Sequence, residues 1–473
     1  MTGPDGVVDA VVVGAGMAGL AAAFELTRHG LRPVVLEAAA RAGGSVARHT
    51  VAGIDLDAGA ESYALVRPGV TTLIADLGLT DLVVAPAAFG AWVRHEAGSA
   101  PLPPGGWLGV PTRPWSAPVR GVLGPVGAAR AALDRALPSG WGQQRSTFGG
   151  LVRTRQGVRT LRRLVEPVVA GVHAADPDYL EVRSIAPTLP ERLRRTGSLA
   201  AAAVELRGAA GPSGSAVAGV RGGMYELVPA LHAAIKAAGG QIRTNAPVGT
   251  IQDRADGWLV GGLTTERLIV AAPGAATADL LGALLPGVPL AALDTGDAAQ
   301  IALVTLVLDA SLLDRAPRGT GVLVASRASG VHAKALTHAT AKWPWLAAGL
   351  PPGRHVLRLS YGRPGRPPPN DDLLPDLALA DAATLLGEPL SAAAVVGTAV
   401  THWPGGLPPG RPGRADAVAA IRAAVATRPG LAVIGSALAG TGLAAVIEDA
   451  RSVAQLTVPG GRRAAGPGAG WEP

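Results

Sequence analysis

Gly14, Gly16 and Gly19 stand in a G-x-G-x-x-G spacing where an apolar run, Val7 to Val13, gives way to a helix-forming stretch, Leu20 to His29. At such a junction the first glycine permits a tight turn, the second lets backbone approach a pyrophosphate, and the third lets helix and strand pack closely. The amides of Gly14, Ala15, Gly16, Met17, Ala18 and Gly19, with the positive end of the helix dipole, then face phosphate. Glu37 lies 18 residues past Gly19, at the end of a second strand-like run, Arg32 to Leu36. A carboxylate there accepts from both ribose hydroxyls of an adenosine and repels a 2′-phosphate. The chemistry is the holding of an adenine dinucleotide by a βαβ unit. Glu37-Ala38-Ala39-Ala40-Arg41-Ala42-Gly43-Gly44 follows, in the pattern E-A-x-x-R-x-G-G. Arg41 supplies a cation, and Gly43, Gly44 and Ser45 supply amides for a second approach to the pyrophosphate.

This second stretch resembles the flavin-containing amine oxidase and phytoene desaturase superfamily, which binds FAD. Further segments are similar to its protoporphyrinogen and coproporphyrinogen oxidase family. Asp57 to Tyr63 resembles the stretch that runs under the flavin ring. Glu166-Pro167 through Pro177 resembles the family's EPLLSG segment. Arg221 to Leu227, Leu268 to Pro273, Thr340-Ala341-Lys342-Trp343-Pro344 and Ile434 to Ile447 match other family segments, so the likeness runs from Val7 to about Ala454.

The resemblance implies a reaction. A porphyrinogen loses six electrons, a methylene bridge gives hydride to flavin N5, and O2 takes the electrons. It also implies residues. Gly59, Ala60, Glu61 and Ser62 would lie against the flavin, Val248 against adenine, and Trp403 and Gly435 near the ring. Gly442, Leu443 and Ala444, opening the last helix, would aim amides at the flavin's pyrimidine edge. Arg67, His173 and Lys342 are the candidate substrate-binding residues, Arg67 for a carboxylate. No acid–base side chain is singled out, because the reaction needs placement of the macrocycle more than proton transfer by a side chain. The sequence departs from the family at His402 to Arg414 and at His173, where relatives carry Tyr. Two rival readings follow: another flavin oxidase or desaturase of the superfamily, and a catalytically silent FAD-binding paralogue. Amine oxidases hold an aromatic cage at the flavin, and an aromatic content of 3% argues against that activity.

The elements that must position these residues make an α/β chain of 473 residues. A discontinuous Rossmann-like FAD-binding domain is expected from residues 1–85, 218–290 and 390–460. An α+β substrate domain with a helical cap is expected from 86–217 and 291–389, and 461–473 reads as a frayed tail. Pro-rich turns and helical stretches near Val126 to Leu137 and Leu161 to Val172 mark 89–220 as a helical insertion. Met224 to Ala238 reads as an amphipathic helix. Strands are expected at Gln241 to Thr244, Trp258 to Val270, Gln300 to Leu308, Gly321 to Ala325, His355 to Tyr361 and Leu431 to Ile434, a short helix at Asp381 to Leu386 and a final helix at Gly442 to Ala454.

Composition narrows the remaining classes. There is no Cys, which removes disulfides, thiolate metal sites and a thioether link to flavin, so FAD is expected to be held non-covalently. No paired-His spacing suggests a metal. The net charge is +7, but only Lys236, Lys334 and Lys342 are lysines, and the 39 arginines are scattered. That balance suits an anionic substrate, here a tetrapyrrole, and no nucleic-acid partner is expected. No apolar stretch reaches a membrane-spanning length and no targeting segment is evident. A cytoplasmic address, with at most peripheral membrane contact, is the expectation.

Overall fold

The computed structural model describes residues 6–173, 175–207, 217–294, 300–403, 412–440 and 442–458. Among these, Ala10–Val13 and Pro33–Leu36 are fully buried Val-rich strands, the signature of a parallel sheet covered on both faces. They lie at the centre of a five-stranded parallel sheet in the order Gln241–Arg243, Pro33–Leu36, Ala10–Val13, Leu268–Val270, Leu431–Val433. Helix Met17–Arg28 packs on one face with the closing helix Leu443–Leu456 and helix Leu227–Ala237. The two ends of the chain therefore share one core.

A buried polar network fixes that packing. Arg451 on the closing helix donates to Glu25 on the first helix at 2.7 Å and to Asp76 at 2.5 Å, and Gln455 donates to Glu25 at 2.8 Å. Burial raises the Glu25 carboxyl, but the bonds from Gln455 and Arg451 outweigh it and hold the group below its usual range.

The second sheet has seven strands in the order Val395–Trp403, Ile301–Asp309, Arg354–Tyr361, Ala335–His338, Gly321–Val324, Trp92–His95, Gly98–Pro101. All its pairs are antiparallel except Gly321–Val324 with Trp92–His95. One face packs on helix Leu374–Leu386; the other covers the hairpin Arg48–Val51 and Ile54–Asp57.

Several expectations need correction. Residues 89–220 are not wholly helical: Trp92–His95 and Gly98–Pro101 are edge strands of the second sheet, and Val217–Val220 pairs with Tyr63–Ala64 and Val83–Val84. Val395–Trp403, grouped in the sequence with the nucleotide-binding segments, is the opposite edge strand of the second sheet. The stretch Trp258 to Val270 is three strands: Gly261 and Gly262 turn the chain with positive φ between the first two, and Glu266-Arg267 break it again before Leu268–Val270. The helix ending at Leu386 begins at Leu374, where Pro375 suits a first turn.

The helical insertion has a core of its own, and a buried ion pair ties it together. Asp134 and Arg155 have fully buried side chains and meet at 2.6 Å. Arg155 also donates to the carbonyls of Asp134, Pro138 and Gly197, and Asp134 accepts from the Ala200 amide at 2.8 Å. Removing one partner strands the other charge, at a cost of about 3–5 kcal/mol. Asp134→Ala should therefore lower unfolding free energy in denaturant titration by about that amount. A loss under 1 kcal/mol would mean that water replaces the carboxylate.

Candidate functional site

The phosphate loop is built as its glycines require. A Cβ on Gly19 would stand 1.9 Å from the Gly14 carbonyl oxygen, so no other residue lets the helix start this close to the strand. Above Gly16 the space is open, with no atom within 4 Å of an added Cβ, and the helix N-terminus faces that opening. The loop thus fits a pyrophosphate. Met17 and Ala18 are buried in the first helical turn.

Glu37 ends the second strand. One oxygen accepts from the Ala15 amide at 2.6 Å and the other from the Ala39 amide at 2.8 Å. The carboxylate therefore also ties the phosphate loop to the neighbouring strand, a role the spacing alone did not reveal. Each oxygen retains acceptor capacity for a ribose hydroxyl. Ala38 lies beside this anchor. Residues 245–248 run alongside it, with Asn245 N donating to Ala39 O and Ala246 N to Glu37 O, which places Val248 on the same side. Arg41 is exposed and reaches the Gly44 carbonyl at 3.3 Å.

From here backbone contacts run in one continuous series. Gly43 N donates to Ala15 O at 2.8 Å, Ala60 N to Ser45 O at 3.3 Å, and Ala58 N to Ala47 O at 2.8 Å. Gly59 is required because a Cβ would stand 2.0 Å from the Ser45 carbonyl and 3.1 Å from the Trp403 ring. The protein itself thus requires a glycine here.

Behind Gly59 lies an ion cluster. Glu61 accepts from Lys342 at 2.5 Å and from Arg358 at 2.8 Å, and Arg358 also donates to the Gly59 carbonyl at 2.8 Å. Burial would raise the Glu61 carboxyl, but the two cations more than offset it and hold it at about 2. Trp403 donates to the Ala58 carbonyl at 3.1 Å. Asp57 accepts from the Met224 and Tyr225 amides, both at 3.0 Å, yet burial pushes its carboxyl up to about 6.

Glu61 and Lys342, assigned from the sequence to cofactor and substrate respectively, are thus brought together, and the Lys342 charge is committed to Glu61. Arg358 was missed. Its signal was a lone cation inside the apolar run His355 to Tyr361, on the strand face shared with Ser360. Arg67 is not part of this cluster: it is 57% exposed and pairs with Glu448 on the closing helix at 3.3 Å. Gly442 caps that helix with φ 98° and open space above it, followed by Leu443 and Ala444, while Gly69 packs against the Ala444 carbonyl. Gly435 leaves the fifth parallel strand with φ 116°, and Ser62 precedes the strand Tyr63–Ala64. His173 ends the helix Glu166–His173, and its side chain lies outside the described residues, as does most of the stretch His402 to Arg414.

A groove of about 620 Å³ on the outer helix of the insertion, lined by residues such as Trp115 and Leu133, shares no residue with this site. Among the described residues no helix is long and apolar enough to cross a membrane.

Comparison with known proteins places this geometry. The family model of the flavin-containing amine oxidoreductases matches residues 17–457. The chain is 30% identical to the coproporphyrinogen III oxidase of Mycobacterium tuberculosis, over 92% of this chain and 94% of that protein. It is 27% identical to the enzyme of the same name from Bacillus subtilis, over 95% and 97%. A chloroplastic protoporphyrinogen oxidase from Oryza sativa matches at 34% over 37% of this chain. A solved Exiguobacterium structure, provisionally described as a protoporphyrinogen oxidase, superposes with TM-score 0.79 at 25% identity over 95% of this chain and 98% of that one. Reduced UDP-galactopyranose mutase, at 14% identity and TM-score 0.69 over 95% and 93%, shares the fold.

Glu37→Ala should remove both the ribose acceptor and the tie between loop and strand. Charge-assisted bonds are worth roughly 1.5–3 kcal/mol each, so FAD affinity of the apoprotein should fall at least tenfold by fluorescence titration. Unchanged affinity would mean that the ribose lies elsewhere.

Proposed function

Because the chain belongs to the flavin-containing amine oxidoreductase family, in its porphyrinogen oxidase branch, we propose that it oxidises coproporphyrinogen III to coproporphyrin III with O2 as acceptor. Its cofactor is FAD, which when bound supplies the acceptor for the hydrogen taken from the substrate. The overall change removes six electrons and six protons, and three O2 leave as three H2O2.

The residues divide the work. The Gly14 to Gly19 loop and the Gly43 to Ser45 turn would hold the pyrophosphate, and Glu37 the ribose. The amides of Gly442, Leu443 and Ala444 would stabilise negative charge at the cofactor's pyrimidine edge. Arg358 fixes the Gly59 carbonyl and Glu61, and so holds the Ala58 to Ser62 loop rigid where cofactor and substrate meet. The observation that carries the reading is this loop. Its Gly59-Ala60-Glu61-Ser62 sequence is locked between the phosphate-loop series and the Lys342-Trp343-Pro344 segment, so the family's two segments meet at one place. The choice of coproporphyrinogen is supported by end-to-end relatives of that name, whereas the chloroplastic protoporphyrinogen oxidase matches 37% of the chain.

Anaerobic mixing of the holoenzyme with coproporphyrinogen III and protoporphyrinogen IX in parallel tests the proposal. Flavin bleaching should be faster with coproporphyrinogen III. Bleaching by protoporphyrinogen IX alone would reverse the substrate, and bleaching by neither would leave a silent FAD carrier.

Arg67 is proposed to read a substrate carboxylate, in competition with Glu448. At so exposed a site the pair is worth about 1 kcal/mol. Arg67→Ala should raise KM for coproporphyrinogen III about fivefold, with the flavin spectrum intact. An unchanged KM would make Arg67 a surface residue.

A further inference from the structure

Where the second sheet meets the short helix Ala339–Lys342, two buried histidine rings pack edge to face with centroids 5.1 Å apart. His338 ends the strand Ala335–His338 and has no exposed surface; His355 lies near the start of the strand Arg354–Tyr361. His338 Nε2 and His355 Nδ1 are 3.1 Å apart. His355 Nε2 faces the exposed Asp314 carboxylate at 2.8 Å, so it carries a proton and donates. The Thr340 hydroxyl oxygen accepts from the Val356 amide at 3.3 Å and lies 3.2 Å from His355 Nδ1. Both rings lie on the sheet face opposite Arg358, and their link to it runs through Thr340 at the strand end. Thr340 is two residues before Lys342, and Val356 is two before Arg358, the cations that hold Glu61.

The protons of this group can be counted. A neutral pair carries two. One sits on His355 Nε2, and the other is shared between His338 Nε2 and His355 Nδ1. His338 Nδ1 is left bare, buried and without a partner. A third proton has two places to go. On His338 Nδ1 it makes a buried N–H with no acceptor, on a charged ring. On the shared contact it sets two N–H groups against each other and takes the acceptor from the Thr340 hydroxyl. Neighbouring charges are committed elsewhere: Asp309 to Arg354, Arg315 to Glu388, and Asp381, on the helix packed against this face, to Tyr361 and the His332 and Ala333 amides. Burial, and then His355 beside it, accordingly lowers the His338 ring from its ordinary 6.5 to about 3. The folded pair therefore binds fewer protons than an opened one, and acid favours opening from about pH 6.5 downward.

We propose that His338 and His355 are positioning residues for the cofactor loop: while neutral they pin the Lys342 helix to the Arg358 strand, and a third proton, taken up as pH falls, releases the pin and loosens the grip on Glu61. For FAD to feel this, the Ala58 to Ser62 loop must lie beside it, as in the site reading above; no particular substrate is required.

Hydrogen exchange of the holoenzyme between about pH 7.5 and 5.5, read by mass spectrometry and corrected for its intrinsic pH dependence, tests the pin. Peptides covering 335–342, 354–361 and 58–62 should exchange at least about fivefold faster at the acid end. His338→Gln should abolish the rise, because an amide offers His355 Nδ1 a donor when that ring is neutral and an acceptor when it is charged. Burial lowers His49 and His95 as well, so the test reads the difference between wild type and variant. A rise of the same size in His338→Gln would overturn the proposal. So would unchanged protection in wild type, a result that needs no variant to fold.

FAD release from the same samples, followed by flavin fluorescence, should quicken about fivefold over that range in wild type and not in His338→Gln. Faster exchange with unchanged FAD release would keep the pin and remove the loop from the cofactor, a failure of the site reading alone.

Discussion

A single carboxylate held between two cations organises the molecule. Glu61 lies in the loop that follows the hairpin Arg48–Val51 and Ile54–Asp57; Arg358 lies on the second sheet, and Lys342 on the short helix Ala339–Lys342 that follows one of its strands. Each of these charges would be costly to bury alone, and the pairing removes that cost only if both halves of the chain are in register. Arg358 extends the constraint to the Gly59 carbonyl, and Gly59 in turn rests on Ser45. The position of the second sheet is thereby transmitted through backbone contacts to the phosphate loop.

The legible part of the fold was the part written in local rules. The strand, glycine turn and helix of residues 7–29 obey short-range sterics, so spacing alone placed them, and Glu37 followed from the length of the unit. The closing helix and its Gly442 cap were legible for the same reason. What was not legible depends on partners distant in sequence. Trp92–His95 and Val395–Trp403 became strands because the second sheet offered edges, an effect that local propensity does not carry.

The site shows the same division. Glu61 and Lys342 were picked out by resemblance, but their pairing was hidden because 281 residues separate them. Arg358 was hidden by its setting, since an Arg in an apolar strand reads as a surface residue until the facing element is known. Gly59 was read as lying against the flavin, and the structure adds a second demand on it, since a side chain there would meet the Ser45 carbonyl and the Trp403 ring.

The order of strands in the parallel sheet sets a timetable for the chain's birth. The two strands nearest the N-terminus find their flanking partners at residues 241–243 and 268–270, and the outermost strand comes only at 431–433. Of the two helices that pack on Met17–Arg28, Leu227–Ala237 is made first and Leu443–Leu456 only after the outermost strand. During synthesis the part of that first helix that meets Leu443–Leu456 must wait, uncovered, while more than four hundred residues are added. Contacts so distant form slowly and leave hydrophobic surface open to aggregation. The core beneath the cofactor cradle is therefore completed late in synthesis, and the nascent first helix depends on protection until then.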